Sequence, residues 1–465
     1  MKNTDGNKKK SFKRQTLLTL MACVTAISLA ACGTADAGAG EAETVEKEAI
    51  VVETDAETGT AEAGNTLEQG EAVTLTANVS SDGAIDATDL FTERDLTQTA
   101  DVSEAEYITV KDGTDVEITE AGVYVISGSA SEATITVDAA DDDKVQLVLN
   151  GAEITNTDSP CIYVKNADKV FVTTAEGTVN ELSVTGTFTA DGDTNTDAVI
   201  FSKDDLVLNG LGTLKIDSSD NGIAGKDDVR ITGGTIVISA EDTAIEANDS
   251  IAVAEGDLTL KAVNDGLHAE NDDDNTKGYI YICGGTFVID ADDDGIHATT
   301  IVQIDGGGFT IDASEAIEGT YVQINGGEFD ITAYDDGINA AAKSTAYSVI
   351  CEFNGGYVKI AMGQGDTDAV DVNGNLYING GTLDITAQSP FDYDGTAELN
   401  GGKLIVNGVE TNSIGNQMMG GMPGDPGAMG GQGGGPGMGG FGGGPGMGGP
   451  GGFTGGGQGG PGGGN

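Results

Sequence analysis

The sequence predicts an all-β solenoid, a right-handed parallel β-helix of about eleven coils over residues 146–414. Three observations predict it. A unit of two alternating apolar residues, a Gly-Gly-type turn, two more alternating apolar residues and a short acidic-plus-aliphatic segment recurs roughly every 22 positions. Period-2 alternation marks each copy as strand, and no window of helical length carries an i, i+3, i+4, i+7 stripe. One copy is too small to bury its own apolar face, so copies must stack.

The second small residue of the turn falls at Gly212, Gly234, Gly256, Gly285, Gly307, Gly327, Gly356, Gly381 and Gly402. Pairs such as Phe287/Ile289, Phe309/Ile311 and Phe329/Ile331 follow it, and Val302/Ile304 or Val322/Ile324 precede it. Glycine suits a corner that needs positive φ or close backbone approach. Weaker copies upstream (Leu147–Ile154, Val170–Val179) begin the stack, and residues 75–145 are expected to hold its N-terminal cap and first strands, because solenoid ends need covering.

The flanks read differently. Lys8–Lys10 and Lys13–Arg14 precede the apolar run Leu17–Ala31, which is too short to span a bilayer and has the pattern of an export signal, residues 1–31. Residues 32–74 are acidic and Ala/Thr/Gly-rich, a disordered linker; residues 415–465 are Gly, Pro and Met with irregular glycine spacing, a disordered tail that cannot be collagen. Cys161, Cys283 and Cys351 offer no disulfide framework.

With 76 acidic and 21 basic residues the net charge is −55. That excludes nucleic acid as a partner, since no basic footprint exists. A field this negative also repels acidic polymers unless a cation bridges them.

Register turns distant residues into neighbours. Two positions before the short-strand apolar residue lie Asp197, Asn221, Thr243, Asp265, Asp294, Glu315, Asp336 and Asp368, flanked by further acids including Asp293, Asp335 and Asp366. Carboxylates stacked ~4.8 Å apart repel, and a hard cation such as calcium would relieve them. The expected metal residues are therefore Asp265, Asp293, Asp294, Glu315, Asp335, Asp336 and Asp368; turn chemistry alone would also place Asp and Asn here. One residue after the same apolar position come Glu246, His268, His297, Glu318, Asn339 and Asp371, which alternation turns outward as a candidate ligand-binding ladder. It holds both histidines of the protein. A functionless surface row, a polysaccharide-contacting groove and a transition-metal pair are all compatible with it. The insertions Asn271–Lys277 and Ala340–Tyr347 sit beside it, where long solenoid loops often build a binding face. No nucleophile–histidine motif supports hydrolysis. Arg230, the one arginine in the coils, and Lys203, Lys226 and Lys261 are the bases a lyase would have to use.

Leu29–Ala30–Ala31–Cys32 resembles the bacterial lipobox, which implies cleavage before Cys32 and lipid on its sulfur. Together with the Gly-Gly-x-h-x-h unit and the segments Asn264–Ala269, Asp293–Ala298 and Asp335–Ala340, the chain over roughly 90–415 resembles the bacterial family of lipid-anchored, calcium-containing carbohydrate-binding β-helix proteins that bind polygalacturonate and cellulose. The resemblance implies a pectate-lyase-like solenoid with calcium among the coil carboxylates, without identifying the ligands. It implies a monomer at the cell surface, held to the membrane by lipid alone. A calcium-dependent pectate-type lyase and a structural adhesin are the rival functions.

Overall fold

The structure is a computed structural model, which describes residues 85–364 and 367–416. The leader, Cys32, the linker, Asp366 and nearly all of the tail lie outside the described residues. Within them are 34 strands and no helix. The strands form three stacks of parallel partners, each strand pairing with the equivalent strand one winding away. Among the described strands one pairing is antiparallel, Lys403–Val406 with Val409–Thr411, which folds back over the last coil.

The inward column after the glycine turn shows why the chain winds this way. Leu214, Ile236, Leu258, Phe287, Phe309, Phe329, Val358, Leu383 and Leu404 pair in unbroken register, and all are buried. Phe287, Phe309 and Phe329 stack ring on ring, with centroids 4.6 and 4.4 Å apart. The turn itself demands glycine twice. Gly327 has φ +100°, and a Cβ on Gly326 would sit 2.4 Å from the carbonyl oxygen of Asp305 on the coil below. In the first clear copy the positive φ falls on Gly210 rather than the expected Gly212.

The residue before each glycine pair builds a second column. Asn325 donates to Asp305 (2.7 Å), Asn354 to Asn325 (2.8 Å), Asn379 to Asn354 (2.7 Å) and Asn400 to Asn379 (2.9 Å). Each amide is donor to one neighbour and acceptor from the other, so the chain of bonds satisfies turn groups that would otherwise face one another unpaired. Asn354→Ala leaves a donor and an acceptor orphaned in a buried place and should cost about 1–3 kcal/mol. Thermal melting of the variant checks this; an unchanged midpoint would show the column to be decoration.

Within the segment assigned to the cap, Glu106–Thr109, Gly122–Ser131 and Ile135–Asp138 are strands of the first coils. Residues 85–101 instead lie as a strap along the outside of the stack, spanning many coils. The Ile85 amide donates to Gln303 at 2.6 Å, Phe91 packs 6.5 Å from Tyr281, and Arg94 lies 4.4 Å over the Phe171 ring. The strap therefore covers outward positions of one strand stack that would otherwise face water.

Candidate functional site

The six ladder residues are consecutive register partners: Glu246 with His268, His268 with His297, His297 with Glu318, Glu318 with Asn339 and Asn339 with Asp371. Their inward neighbours Ala247, Ala269, Ala298 and Ala340 are buried. The ladder is less outward than alternation alone suggests. Glu318 and Asn339 are buried and the other four half-buried. For Glu318 the reason lies in the second insertion, whose Lys343 reaches it at 2.8 Å.

The acidic column runs beside the ladder. Asp294 pairs with Glu315, and Asp336 with Asp368; the Asp294 amide donates to the Asp265 carboxylate at 3.0 Å. Asp293 and Asp335 are exposed and stand off from it. Asp197 leaves the column, because Ile200 rather than Val199 pairs with Ile223, which puts Ala198 opposite Asn221. Both Val199 and Ile200 are apolar and buried, so the sequence alone could not choose between the two registers.

The column divides chemically. In its first half each carboxylate meets an imidazole on its own coil. His268 Nδ1 lies 3.0 Å from Asp265, and His297 Nδ1 lies 3.1 Å from Asp294 and 3.8 Å from Asp265. The rings are parallel within 7°, with centroids 4.7 Å apart. Burial opposes charge on His297, but hydrogen bonds to Asp265 and Asp294 and the nearby Glu318 win, and its pKa is pushed up to about 10. Burial alone would raise Asp265; bonds from both histidines and the Asp294 amide hold it well below the usual range. Burial dominates at Asp294, raised to about 6. The proton of this group therefore sits on His297.

In the second half no histidine intervenes. Burial first, then the charges of Glu318, Asp294 and Asp336, push Glu315 up to about 8, although Asn339 donates to it. Burial and Asp371 push Asp336 up to about 7, and burial with Asp392 and Asp368 pushes Asp371 up to about 6. Asn339 turns its amide nitrogen to Glu315 and Glu318, 2.9 Å from each, and its buried Oδ1 has no donor. An all-oxygen set with an orphaned buried acceptor and self-repelling carboxylates fits a hard cation such as calcium. Among the described residues, Glu315, Asp336 and Asp368 are not already gathered within 4.8 Å of one another, so these side chains and Asn339 Oδ1 would have to draw together to hold it, and it would supply the missing positive charge.

Beside His268 opens a cleft of about 460 Å³ lined by Lys226, Glu246, Asn248, Glu270, Asn271 and Lys277 among others, within the usual size of ligand sites, about 300–1,000 Å³. Its cations are engaged: Lys226 with Glu246 (3.3 Å), Lys277 with Asp249. The first insertion lines it and is bonded to the second. Asn275 Nδ2 donates to Thr345 at 2.9 Å, Ser344 to the Asn275 carbonyl at 2.6 Å, and Tyr347 to that of Thr276 at 3.3 Å. Both loops stand out in the sequence as insertions, but their contact does not, because 70 residues separate Asn275 from Thr345.

Arg230 is sealed under the strap, bonded to Asp205 (2.9 Å), Asp228 (2.7 Å) and the Leu90 carbonyl (3.0 Å). It cannot serve as the base of a lyase. The tyrosines are of mixed use: Tyr281 and Tyr321 are buried, whereas Tyr334 is half exposed.

Comparison with known proteins places the chain. A carbohydrate-binding domain-containing protein from Acetivibrio thermocellus is 37% identical over 123 residues, 26% of this chain and 43% of that protein, so the chain spans under half of that relative. A solved structure described as a polysaccharide lyase-like protein from C. thermocellum, gadolinium derivative, matches at 29% identity with a TM-score of 0.41, covering 48% of this chain and 96% of that one. The family model of carbohydrate-binding domain-containing proteins matches residues 112–369, more than half of the chain and both halves of the histidine–carboxylate column, and the chain belongs to that family.

Proposed function

We propose that this protein is a cell-surface polysaccharide-binding lipoprotein, tethered through Cys32, whose right-handed β-helix of about eleven coils presents the Glu246–Asp371 ladder to a glycan. The observation that carries the reading is a polar, largely buried row along six successive coils, opening into a cleft lined by the first of two joined loops. Uncharged amides and carboxylates at that depth suit sugar hydroxyls, which donate and accept at once. Calcium at Glu315, Asp336 and Asp368 would stiffen the coils and bridge uronate carboxylates to an otherwise repelling surface. The test is a glycan array run with calcium and with chelator, beside Glu246→Ala. Binding to polygalacturonate or cellulosic glycans, weakened about tenfold in the variant, is expected. No affinity for any soluble glycan would make this an adhesin, and formation of unsaturated uronide would make it a lyase.

The calcium reading has its own stability signature. Folded-state pKa values near 8 for Glu315 and 7 for Asp336 stand above their ordinary 4.5 and 3.8. Groups raised on folding contribute stability that is full below the unfolded pKa and lost as pH climbs through the folded value. The chelated protein should therefore weaken between about pH 4.5 and 8, by on the order of 2 kcal/mol after discounting for solvent screening. Calcium should restore the loss at pH 8. Thermal melts at pH 5 and 8, with calcium or chelator, decide; a pH 8 midpoint indifferent to calcium removes the metal from the column.

A further inference from the structure

The first half of the column carries a second, chemically different site. The geometry points to a borderline divalent cation of the zinc class held by Asp265, His268, Asp294 and His297, on two rungs of the proposed glycan ladder and separate from the oxygen-only half. The sequence writes the same Asp-Gly-aliphatic-His tetrad on two adjacent coils, Asp265–His268 and Asp294–His297, and these hold the only histidines in the chain. Winding brings the two copies face to face, His268 against His297.

Distances gather three of the four ligands around one centre, and Asp294 joins them through His297. Donors about 2.0–2.2 Å from a tetrahedral zinc lie roughly 3.3–3.6 Å from one another. Here the Nδ1–carboxylate separations are 3.0, 3.1 and 3.8 Å. The three residues Asp265, His268 and His297 place ligand atoms within 4.8 Å of one another. The outer edge of one ring is arranged as in metal-bound imidazoles: His297 Nε2 faces Glu318 at 3.3 Å, whereas His268 Nε2 lies 3.5 Å from Glu270. The carboxylate on His297 Nε2 keeps a proton there and leaves the Nδ1 lone pair for the metal. The Glu270 contact is too poorly aimed to be a hydrogen bond, and His268 Nε2 is otherwise buried without a partner. Asp265 and Asp294 are themselves fixed, both buried, with the Asp294 amide bonded to Asp265. Two imidazoles select zinc, copper or nickel over calcium, which prefers oxygen alone. Binding must displace the proton that His297 shares with Asp265 and Asp294, and must tilt the two parallel rings until their Nδ1 lone pairs converge.

Zinc alone is the probe, titrated calorimetrically into the full chain, with cobalt substituted for a visible spectrum. Expected are one ion per chain, release of protons on binding, a tetrahedral cobalt spectrum, and no displacement by calcium in tenfold excess. His297→Gln should lower zinc affinity more than about 100-fold, and Glu318→Gln about tenfold through lost ring orientation. The His268→Gln/His297→Gln double variant, its fold verified by circular dichroism, controls for the cysteines. Zinc binding unchanged in that variant, absent from the folded parent chain, or competed by equimolar calcium overturns the assignment.

Discussion

Phe309→Ala should destabilise the protein by about 3–5 kcal/mol, the cost of removing a buried aromatic ring whose space cannot collapse. The site cannot collapse because its walls are other rungs of the same ladder. Phe287 and Phe329 stack on the two faces of the Phe309 ring, tilted by only 8° and 5°, and both are pinned by backbone register to the coils on either side. Moving either ring inward would break that register. Two aromatic contacts, each worth roughly 0.5–1.5 kcal/mol beyond area, disappear together. In a solenoid the stability of a coil rests on its two interfaces, so damage should concentrate locally. Denaturant unfolding gives the magnitude, and hydrogen exchange should speed most in Gly308–Ala313 and the flanking strands Thr286–Ala291 and Glu328–Ala333. Phe309→Leu should recover more than half of the loss. A cost below 1 kcal/mol, or exchange that rises evenly along the stack, would mean that the core column is not the element holding coils together.

The columns were legible in the sequence because each obeys a local rule repeated at one period. Phe287, Phe309 and Phe329 could be stacked on paper by counting from the glycine turns, and so could Asp265 over Asp294 and His268 over His297. What escaped was whatever lacked a period. The choice between Val199 and Ile200 as the inward residue depends on packing, since both are aliphatic and adjacent. Glu318 is covered by Lys343, which arrives from an insertion with no counterpart in neighbouring coils, and Asn339 is bonded to Glu315 and Glu318. Asparagines before the glycine pairs were visible as turn residues, yet their head-to-tail bonding depends on amide orientation, which no spacing encodes. The division of the acidic column is an intermediate case. The tetrad Asp-x-x-His is in the sequence twice, but that its Asp carboxylates turn to imidazole, while Glu315 faces Glu318 and Asp294 and Asp336 faces Asp371, requires coordinates.

The strap is the plainest case of tertiary information absent from pattern, and Asp95 is where it can be tested. Asp95 is wholly buried. Its carboxylate accepts from the Thr92 amide at 2.8 Å and lies 3.5 Å from Lys169, while its carbonyl accepts from Asn209 at 3.2 Å and from Thr232. Lys169 also reaches Asp205 at 3.4 Å, but Asp205 is already bound by Arg230 at 2.9 Å. Asp95→Ala therefore leaves a buried ammonium sharing one carboxylate with a guanidinium, and breaking a buried pair in this way costs about 3–5 kcal/mol. The strap's other holds are scattered along it: Ile85 to Gln303, the Leu90 carbonyl to Arg230, Phe91 against Tyr281, Arg94 over Phe171, Asn209 to the Thr97 carbonyl, and Gln98 to Thr232 and Gly210. The loss should consequently appear first as detachment of residues 85–101 rather than as melting of the coils, whose ladders do not pass through it. Limited proteolysis should cut within the strap at least tenfold faster in Asp95→Ala while the body of the solenoid stays resistant. Asp95→Asn keeps the shape and the Thr92 bond but not the charge, and should fall between. Equal cleavage rates in parent and Asp95→Ala would show that the strap is held by its apolar side chains and that the buried ion pair contributes nothing. The expected ordering instead makes Asp95 the clasp that keeps Arg230, Tyr281 and Gln303 covered.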